Sequence, residues 1–225
     1  MRLSRFTEFG RKIICVGRNY RDHAIEMGNE VPEKPLLFMK PPTAYVTEGN
    51  PIKANASPVP TQIPRGCLEL HHEVELGVVV GRRARDLTVD TALDVVGGYA
   101  LALDMTARDV QRDAQRRGLP WETAKGFDTA CPVSAFLPRE AVADPQALTL
   151  WCKVNGDERQ RGSTADMLFG VAAVLSHASG LFTLEPGDLV LTGTPKGVGP
   201  VQEGDVIEAG IEGLVQMSFR VERQL

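Results

Sequence analysis

The chain has no block of basic residues, no long hydrophobic run and four scattered cysteines without a Cys-x-x-Cys pair. The lack of basic blocks argues against nucleic acid as a partner. The longest apolar stretches are too short to cross a bilayer, so no membrane partner is expected. The cysteine spacing fits neither a disulfide framework nor a zinc knuckle. Reduced thiols, and an N-terminus without the apolar core of a secretory signal, predict a cytoplasmic protein.

The composition is that of a soluble globular protein, with 43% hydrophobic and 24% charged residues in 225 and a net charge of −4. Short β-branched runs between turn signals predict many strands, including a hairpin turn at Asn155-Gly156. Helices are predicted near residues 20–27, from 104 or 106 to about 118, and over 163–180. We therefore predict a β-rich α+β fold, with a small N-terminal portion (1–50) and one main domain (51–225).

Glu73 and Glu75 interrupt an otherwise apolar stretch, L-E-L-H-H-E-V-E-L-G-V-V-V-G. The stretch ends in three valines and is interpreted as a strand from Glu73 to Val80, on which the two glutamates share a face. Carboxylates in so apolar a segment are costly unless they are paired or bound to a metal. A divalent cation would relieve their mutual repulsion.

Asp104 ends the apolar run G-G-Y-A-L-A-L and is the candidate third ligand, although it could equally cap the helix that follows. Three oxygen ligands suit Mg²⁺ or Mn²⁺. His71 shares the face of Glu73, so zinc stays possible. A metal-free alternative pairs the glutamates with Arg82 or Arg108.

Three further clusters contain candidate site residues. His23 and Glu26 are three apart on a predicted helix, where the carboxylate would orient a general base, although an exposed ion pair is the commoner case. Lys125 lies in a largely apolar segment, where it could stabilise an enolate or carboxylate, although most lysines lie on the surface. The run Thr192-Gly193-Thr194 could hold a small carboxylate or simply form a tight turn.

Taken in order, these clusters resemble the fumarylacetoacetate hydrolase family, in particular its short acylpyruvate hydrolases and oxaloacetate decarboxylases such as the bacterial fumarylpyruvate hydrolases. The motifs that carry the resemblance are G-R-N-Y-x-x-H-x-x-E-M, H-H-E-V-E-L-G, L-A-L-D-M-T-A-R-D-V-Q, W-x-x-A-K-x-F-D and L-T-G-T-P-K-G-V-G. They extend from about residue 13 nearly to the C-terminus. Five such motifs in sequence are specific.

The resemblance implies a β-sandwich roll, a homodimer, and Mg²⁺ or Mn²⁺ on Glu73, Glu75 and Asp104. It also implies that a catalytic pair, His23 and Glu26, lies on a short lid helix. The remaining site residues that it implies are the active-site lysine Lys125 and the substrate contacts Arg18, Gln111 and Thr194.

The activity expected first is hydrolysis of the C–C bond of an acylpyruvate, such as fumarylpyruvate or acetylpyruvate, to pyruvate and a carboxylic acid. His23 would activate water for this cleavage, and the metal would stabilise the pyruvate enolate. The alternatives are decarboxylation and keto–enol tautomerisation of oxaloacetate through the same enolate. In each case the partner is a small 2-oxo acid.

Overall fold

The computed structural model describes residues 3–28, 30–50, 52–54 and 67–223, which form a β-rich mixed α+β fold, as predicted. The predicted boundary at residues 50/51 adjoins Pro51, which lies outside the described residues. Strands are numbered in chain order: β1 Ile13–Gly17, β2 Leu36–Lys40, β3 Tyr45–Thr47, β4 Ile52–Ala54, β5 Leu70–His72, β6 Val74–Val80, β7 Val96–Leu103, β8 Thr106–Ala107, β9 Cys131–Val133, β10 Leu137–Pro138, β11 Thr149–Val154, β12 Asp157–Ser163, β13 Leu189–Leu191, β14 Gly199–Val201, β15 Val206–Ile211 and β16 Val215–Arg223.

The largest sheet places β6 at its centre, in the order β2-β1-β13-β6-β7-β9-β3, with β10 added to β7. Every residue of β6 is buried, including its one charged residue, Glu75. A Cβ at Gly77 would lie 2.9 Å from a Leu189 methyl group and 3.1 Å from the Ala100 carbonyl oxygen, so β6 fits closely between its neighbours. The strand that carries the candidate ligand Glu75 is therefore closely packed on both edges.

Two smaller sheets complete the fold. A five-stranded sheet has the order β12-β11-β15-β16-β4, and a three-stranded sheet has the order β14-β5-β8. Strand β11 lies against β6, and β15 and β16 lie against β7, so the hydrophobic core forms between the large and the five-stranded sheets. The predicted hairpin joins β11 to β12, and Asn155 and Gly156 both have positive φ, as a tight hairpin turn requires.

The helices are short and lie around the sheets: α1 Phe6–Phe9, α2 Arg21–Glu26, α3 Val89–Ala92, α4 Arg108–Arg117, α5 Glu122–Lys125 and α6 Val171–Leu181. Helices α2 and α4 lie within two of the predicted ranges, and the left-handed Gly118 ends α4. The single helix predicted over 163–180 is instead a 3₁₀ turn, Thr164–Asp166, followed by α6. No α-helix in the described residues is long and apolar enough to cross a membrane.

The strands of the N-terminal portion are built into the main sheet. Strand β1 pairs in parallel with β13 and antiparallel with β2, while β3 pairs in parallel with β9. Helix α2 follows β1 directly, so it lies beside the end of β13 and the loop that follows it. This topology brings the motifs around residues 18–26 and 192–197 together.

Candidate active site

Three buried carboxylates meet where β5 passes into β6 and where β7 ends. Glu73 lies between β5 and β6, rather than on the strand as predicted, while Glu75 is the second residue of β6. Asp104 follows β7, and its backbone N–H donates to the Glu73 carbonyl oxygen at 2.8 Å. One ligand oxygen from each residue lies within 4.8 Å of the other two. Asp104 does not cap α4, because Ala107 holds that position.

Three buried cations surround these acids. Lys125 Nζ donates to Glu73 Oε2 at 2.9 Å and to Asp104 Oδ2 at 2.7 Å. Arg108 donates to the other Glu73 oxygen, as the metal-free alternative anticipated. Lys40 Nζ lies 2.8 Å from Asp104 Oδ1, in an ion pair without hydrogen-bond geometry. Because buried charges are costly when isolated, this pairing makes the acidic cluster tolerable in the fold.

The charges are distributed unevenly over the acids. Burial favours the neutral form of Glu73, but the charges of Lys125 and Arg108 hold its pKa well below the ordinary value. Burial, reinforced by the charges of Asp104 and Glu73, raises the pKa of Glu75 well above its ordinary value. The cations of the chain therefore compensate Glu73 but leave Glu75 unfavourable as an anion. A divalent cation would supply what Glu75 lacks, so the three acids fit a hard metal ion.

The loop after β13, which the sequence suggested could hold a small carboxylate, binds the carboxylate of Glu75. Gly193 N–H donates to Glu75 Oε2 at 2.7 Å. Gly193 has a φ of +92°, and a Cβ there would lie 2.7 Å from the Asn19 Cβ, so glycine is required. The hydroxyls of Thr192 and Thr194 donate to the Leu76 and Val74 carbonyl oxygens, each at 2.9 Å.

His23 and Glu26 lie on α2, at the side of the cleft above the acids. His23 is buried, and its Nδ1 lies 3.5 Å from Glu26 Oε2. Burial, with the charge of Arg108, lowers the pKa of His23 and favours the neutral imidazole. The Glu26 carboxylate also accepts from Gly197 N–H at 3.1 Å. His23 is therefore buried, whereas Glu26 is exposed to solvent but held by the loop after β13.

The cleft has a volume of about 110 Å³. Of the nine predicted site residues, Asp104 and Glu26 lie outside its lining. The seven that line it are Arg18, His23, Glu73, Glu75, Gln111, Lys125 and Thr194.

Two alternatives from the sequence, His71 as a metal ligand and Arg82 as a partner of the glutamates, make their contacts with other residues. His71 directs Nε2 to Glu69 at 2.8 Å, and its Nδ1 accepts from Arg108 Nε at 3.3 Å, so both ring nitrogens are engaged outside the Glu73, Glu75 and Asp104 cluster. Arg82 lies 3.9 Å from Asp94, in an exposed ion pair.

Lys40 and Gln160 were not predicted. The sequence could have indicated Lys40, because it is a charged residue at the end of the apolar strand L-L-F-M-K, just as Asp104 is a charged residue at the end of β7. The sequence gives no such indication for Gln160, since it lies in the polar strand D-E-R-Q-R-G-S.

Comparison with known proteins finds similarity along almost the whole chain. Residues 12–222 match the family described as fumarylacetoacetate (FAA) hydrolase, C-terminal. The human protein named oxaloacetate tautomerase FAHD1, mitochondrial, is 55% identical over 221 residues, which cover 98% of this chain and 96% of that protein. The Dictyostelium discoideum protein named oxaloacetate decarboxylase, mitochondrial, is 48% identical over 220 residues, or 97% of each chain.

Among solved structures, fumarylpyruvate hydrolase from Pseudomonas aeruginosa in complex with Mn²⁺ and pyruvate is similar with a TM-score of 0.86. It is 38% identical, and the match covers 96% of this chain and 91% of that one. The Mn²⁺ in this similar structure agrees with a metal at the acidic cluster.

The relatives correct one prediction. Their names place them in mitochondria, which contradicts the cytoplasmic location expected from the sequence. That expectation rested on reduced cysteines and the lack of a secretory signal. Both observations argue only against the secretory route, so they could not distinguish a mitochondrial protein from a cytosolic one.

The fold, the acidic cluster and the extent of these matches agree with the five motifs. The chain belongs to the fumarylacetoacetate hydrolase family of enzymes.

Proposed function

We propose that this protein is a metal-dependent oxaloacetate tautomerase, which interconverts the enol and keto forms of that 2-oxo acid. The observation that carries the proposal is the buried Glu73, Glu75 and Asp104 cluster, of which Glu73 and Glu75 line a cleft shared with His23 and Lys125. The names of the relatives at 46–56% identity support oxaloacetate as the substrate. They favour the alternative of the sequence analysis over acylpyruvate hydrolysis.

The three carboxylates are the residues that would hold the ion. Mg²⁺ or Mn²⁺ bound there would act as a Lewis acid, polarising the oxygens of a 2-oxo acid and offsetting enolate charge.

Tautomerisation moves a proton between C3 and the 2-oxo oxygen, so the site needs a group that exchanges protons. We assign this role to His23, because its lowered pKa keeps the imidazole neutral and able to accept the C3 proton. Its Nδ1 faces Glu26, so Nε2 is the nitrogen available to substrate. Glu26 is fixed by Gly197 N–H and would stabilise the imidazolium once His23 is protonated.

The remaining cleft residues bind and orient. Lys125 bridges Glu73 and Asp104, so its ammonium lies where it can offset negative charge on a bound oxygen. Arg18 and Gln111 line the cleft and would contact the substrate carboxylates. Gln111 is held by Arg108, whose Nη1 donates to its Oε1 at 2.6 Å.

Three reactions measured in parallel test this assignment. Chelator-stripped protein, with Mg²⁺ added back, is given enol-oxaloacetate, keto-oxaloacetate and acetylpyruvate, while enol absorbance and pyruvate release are followed. We expect metal-dependent loss of enol absorbance much faster than pyruvate appears. Pyruvate release that keeps pace with enol loss would reassign the protein as a decarboxylase, and full activity in excess chelator would contradict the metal site.

Acylpyruvate hydrolysis is the second candidate. It is favoured by the His23–Glu26 pair, which could activate water as well as exchange protons, and by the similarity to fumarylpyruvate hydrolase. Cleavage of acetylpyruvate or fumarylpyruvate faster than enol loss in the same assay would support this function over tautomerisation.

A further inference from the structure

Gln160 is a buried amide that connects all three sheets beneath the cleft. It lies on β12 next to a bulge, where Arg159 is the additional residue in the pairing with β11. Its side chain is 1% exposed, and its amide makes four hydrogen bonds. Oε1 accepts from His72 at 2.9 Å and from Val74 N–H at 3.0 Å. Nε2 donates to Thr194 Oγ1 at 2.7 Å and to the Pro195 carbonyl oxygen at 2.8 Å.

Two backbone groups fix which way this amide faces. The Val74 N–H can only donate, so it requires the amide oxygen, whereas the Pro195 carbonyl can only accept, so it requires the amide nitrogen. Rotating the amide by 180° would place donor against donor at one end and acceptor against acceptor at the other. The orientation therefore does not depend on the protonation of His72.

The fixed amide determines the polarity of Thr194. A hydroxyl has one hydrogen and two lone pairs. The Thr194 hydrogen is donated to the Val74 carbonyl oxygen at 2.9 Å, and one lone pair accepts from Gln160 Nε2. At most one lone pair remains for a ligand, and Thr194 lines the cleft beside Glu73 and Glu75.

We infer that Gln160 is a positioning residue that, together with the Val74 carbonyl, holds Thr194 as an acceptor-only group, so that Thr194 selects a protonated substrate oxygen such as an enol hydroxyl. This inference rests on the proposed function, in which enol and keto forms of one acid share the site. A keto oxygen at this position would face a lone pair and be repelled, whereas an enol O–H would donate to it. The enol would thereby gain an interaction that the keto form lacks.

Two small anions that chelate divalent cations provide the probes. Glycolate has a hydroxyl that can donate, whereas oxalate has only acceptor oxygens at neutral pH. The dissociation constant of each is measured by calorimetry on Mg²⁺-loaded protein. The protein variants are wild type, Thr194→Val, Gln160→Met and, as the matched control, Thr194→Ser.

Thr194→Val removes the hydroxyl lone pair at nearly constant volume. The dissociation constant of glycolate should therefore rise about tenfold, while that of oxalate should change less than twofold. Gln160→Met removes one of the two hydrogen bonds that hold the Thr194 hydroxyl, which is then held only by its bond to the Val74 carbonyl and can exchange that bond for one to oxalate. Oxalate should then tighten relative to glycolate. Thr194→Ser keeps the hydroxyl and should keep the wild-type ratio.

Equal weakening of both anions in Thr194→Val would overturn the inference, as would an unchanged ratio in a Gln160→Met protein that retains its Mg²⁺ affinity. A wild-type protein that binds neither anion would contradict the proposed metal site, and the inference with it. A wild-type protein that tautomerises oxaloacetate while the variants keep its anion ratio would contradict the inference alone.

Discussion

The ammonium group of Lys40 is buried and lies close to three oxygen atoms of the protein interior. It donates to the Met105 carbonyl oxygen at 3.1 Å and to the Lys125 carbonyl oxygen, and it pairs with Asp104. The Lys40 side chain therefore contacts both the candidate ligand Asp104 and the backbone of Lys125, the proposed active-site lysine. Because the group is buried, its removal leaves acceptors that water does not reach.

Replacing Lys40 by Met should lower the free energy of unfolding by about 3–5 kcal/mol, because Asp104 loses a buried counter-charge. Urea unfolding measured by circular dichroism would give this value. The matched control is Lys196→Met, which removes an exposed lysine paired with Asp22 and should leave the midpoint nearly unchanged. A Lys40→Met protein as stable as the control would show that Asp104 does not depend on this cation.

The pH dependence of activity should report on His23. Burial, aided by the charge of Arg108, lowers its pKa, while Glu73 and Glu26 raise it in part. A base must be neutral, so activity is lost as the pH falls through this lowered pKa. The acid limb of kcat/KM should therefore lie below the ordinary histidine value of about 6.5.

Glu26→Gln tests this assignment by removing a charge that raises the pKa of His23. The acid limb should then move to still lower pH, whatever happens to the maximal rate. A limb that moves to higher pH, or stays in place, would assign the titration to another group.

His23→Ala should separate the three candidate reactions at the same site. Tautomerisation and acylpyruvate hydrolysis both need a proton acceptor and should be lost, whereas decarboxylation of oxaloacetate needs none and should persist. Rates of enol loss and of pyruvate release on the purified variant measure this. Equal loss of all three activities would show that His23 acts in binding rather than in proton transfer.

At the scale of elements, we expect replacement by alanine to have opposite effects on stability at two glycines, Gly118 and Gly180. Gly118 ends α4 with a φ of +64°, whereas Gly180 lies within α6, and a Cβ would meet nothing within 4 Å at either position. Only backbone conformation therefore distinguishes them. Gly180→Ala should stabilise the protein by about 0.4–1 kcal/mol, because it restricts the unfolded chain. Gly118→Ala should destabilise it by about 1 kcal/mol, because alanine resists the left-handed region.

Thermal unfolding of both variants beside wild type checks this pair. A loss of stability in Gly180→Ala would show that α6 needs glycine for a reason other than conformation. A neutral Gly118→Ala would show that α4 can end without its left-handed cap.

The elements differ in how far the sequence could predict them. Strands β6 and β7 could be predicted because they are short, largely apolar segments between turns. The hairpin turn at Asn155-Gly156 could be predicted because a tight hairpin needs two residues of positive φ. The prediction of a single helix over 163–180 was wrong for the first half of that range. Ser163 caps only a 3₁₀ turn, and the chain between that turn and α6 is held by Asn19, whose side chain bonds the backbone of Phe169.

The candidate site divides in the same way. The carboxylates and His23 stand out because charged or titratable groups in apolar or patterned segments carry a local signal. The contacts of the Gln160 side chain depend on a bulge in β12 and on the meeting of three sheets. Neither feature can be read from the residues next to Gln160 in the sequence. Tertiary register therefore sets the polarity of Thr194, and residue patterns do not record it.

At the scale of the whole molecule, the assembly remains a proposal. We propose a homodimer, as the family resemblance implies. Light scattering coupled to size-exclusion chromatography should give twice the mass of the chain. A monomeric mass in a fully active preparation would show that one chain is sufficient for catalysis.

Metal binding should be visible in the stability of the whole protein. An ion that binds the folded chain alone at 100 times its dissociation constant stabilises it by about 2.7 kcal/mol. For a chain of this size that corresponds to a rise of roughly 5–10 °C in Tm. We therefore expect Mg²⁺ or Mn²⁺ to raise the Tm of chelator-stripped wild-type protein by this amount. No rise with either ion would contradict a metal site at the acidic cluster.

Glu75→Gln should abolish metal binding without changing the stability of the metal-free protein. Burial and the charges of Asp104 and Glu73 already favour the neutral form of Glu75, and a glutamine oxygen can still accept from Gly193 N–H. The metal-free Tm should therefore stay close to that of wild type, while the rise with Mg²⁺ should be lost because one charged ligand is gone. Glu69→Gln is the matched control, because Glu69 pairs with Arg112 outside the cluster, and it should retain the full rise. A Glu75→Gln protein that also retains it would place the ion elsewhere, and the cations Lys40, Lys125 and Arg108 would then supply the positive charge that balances Glu73 and Asp104.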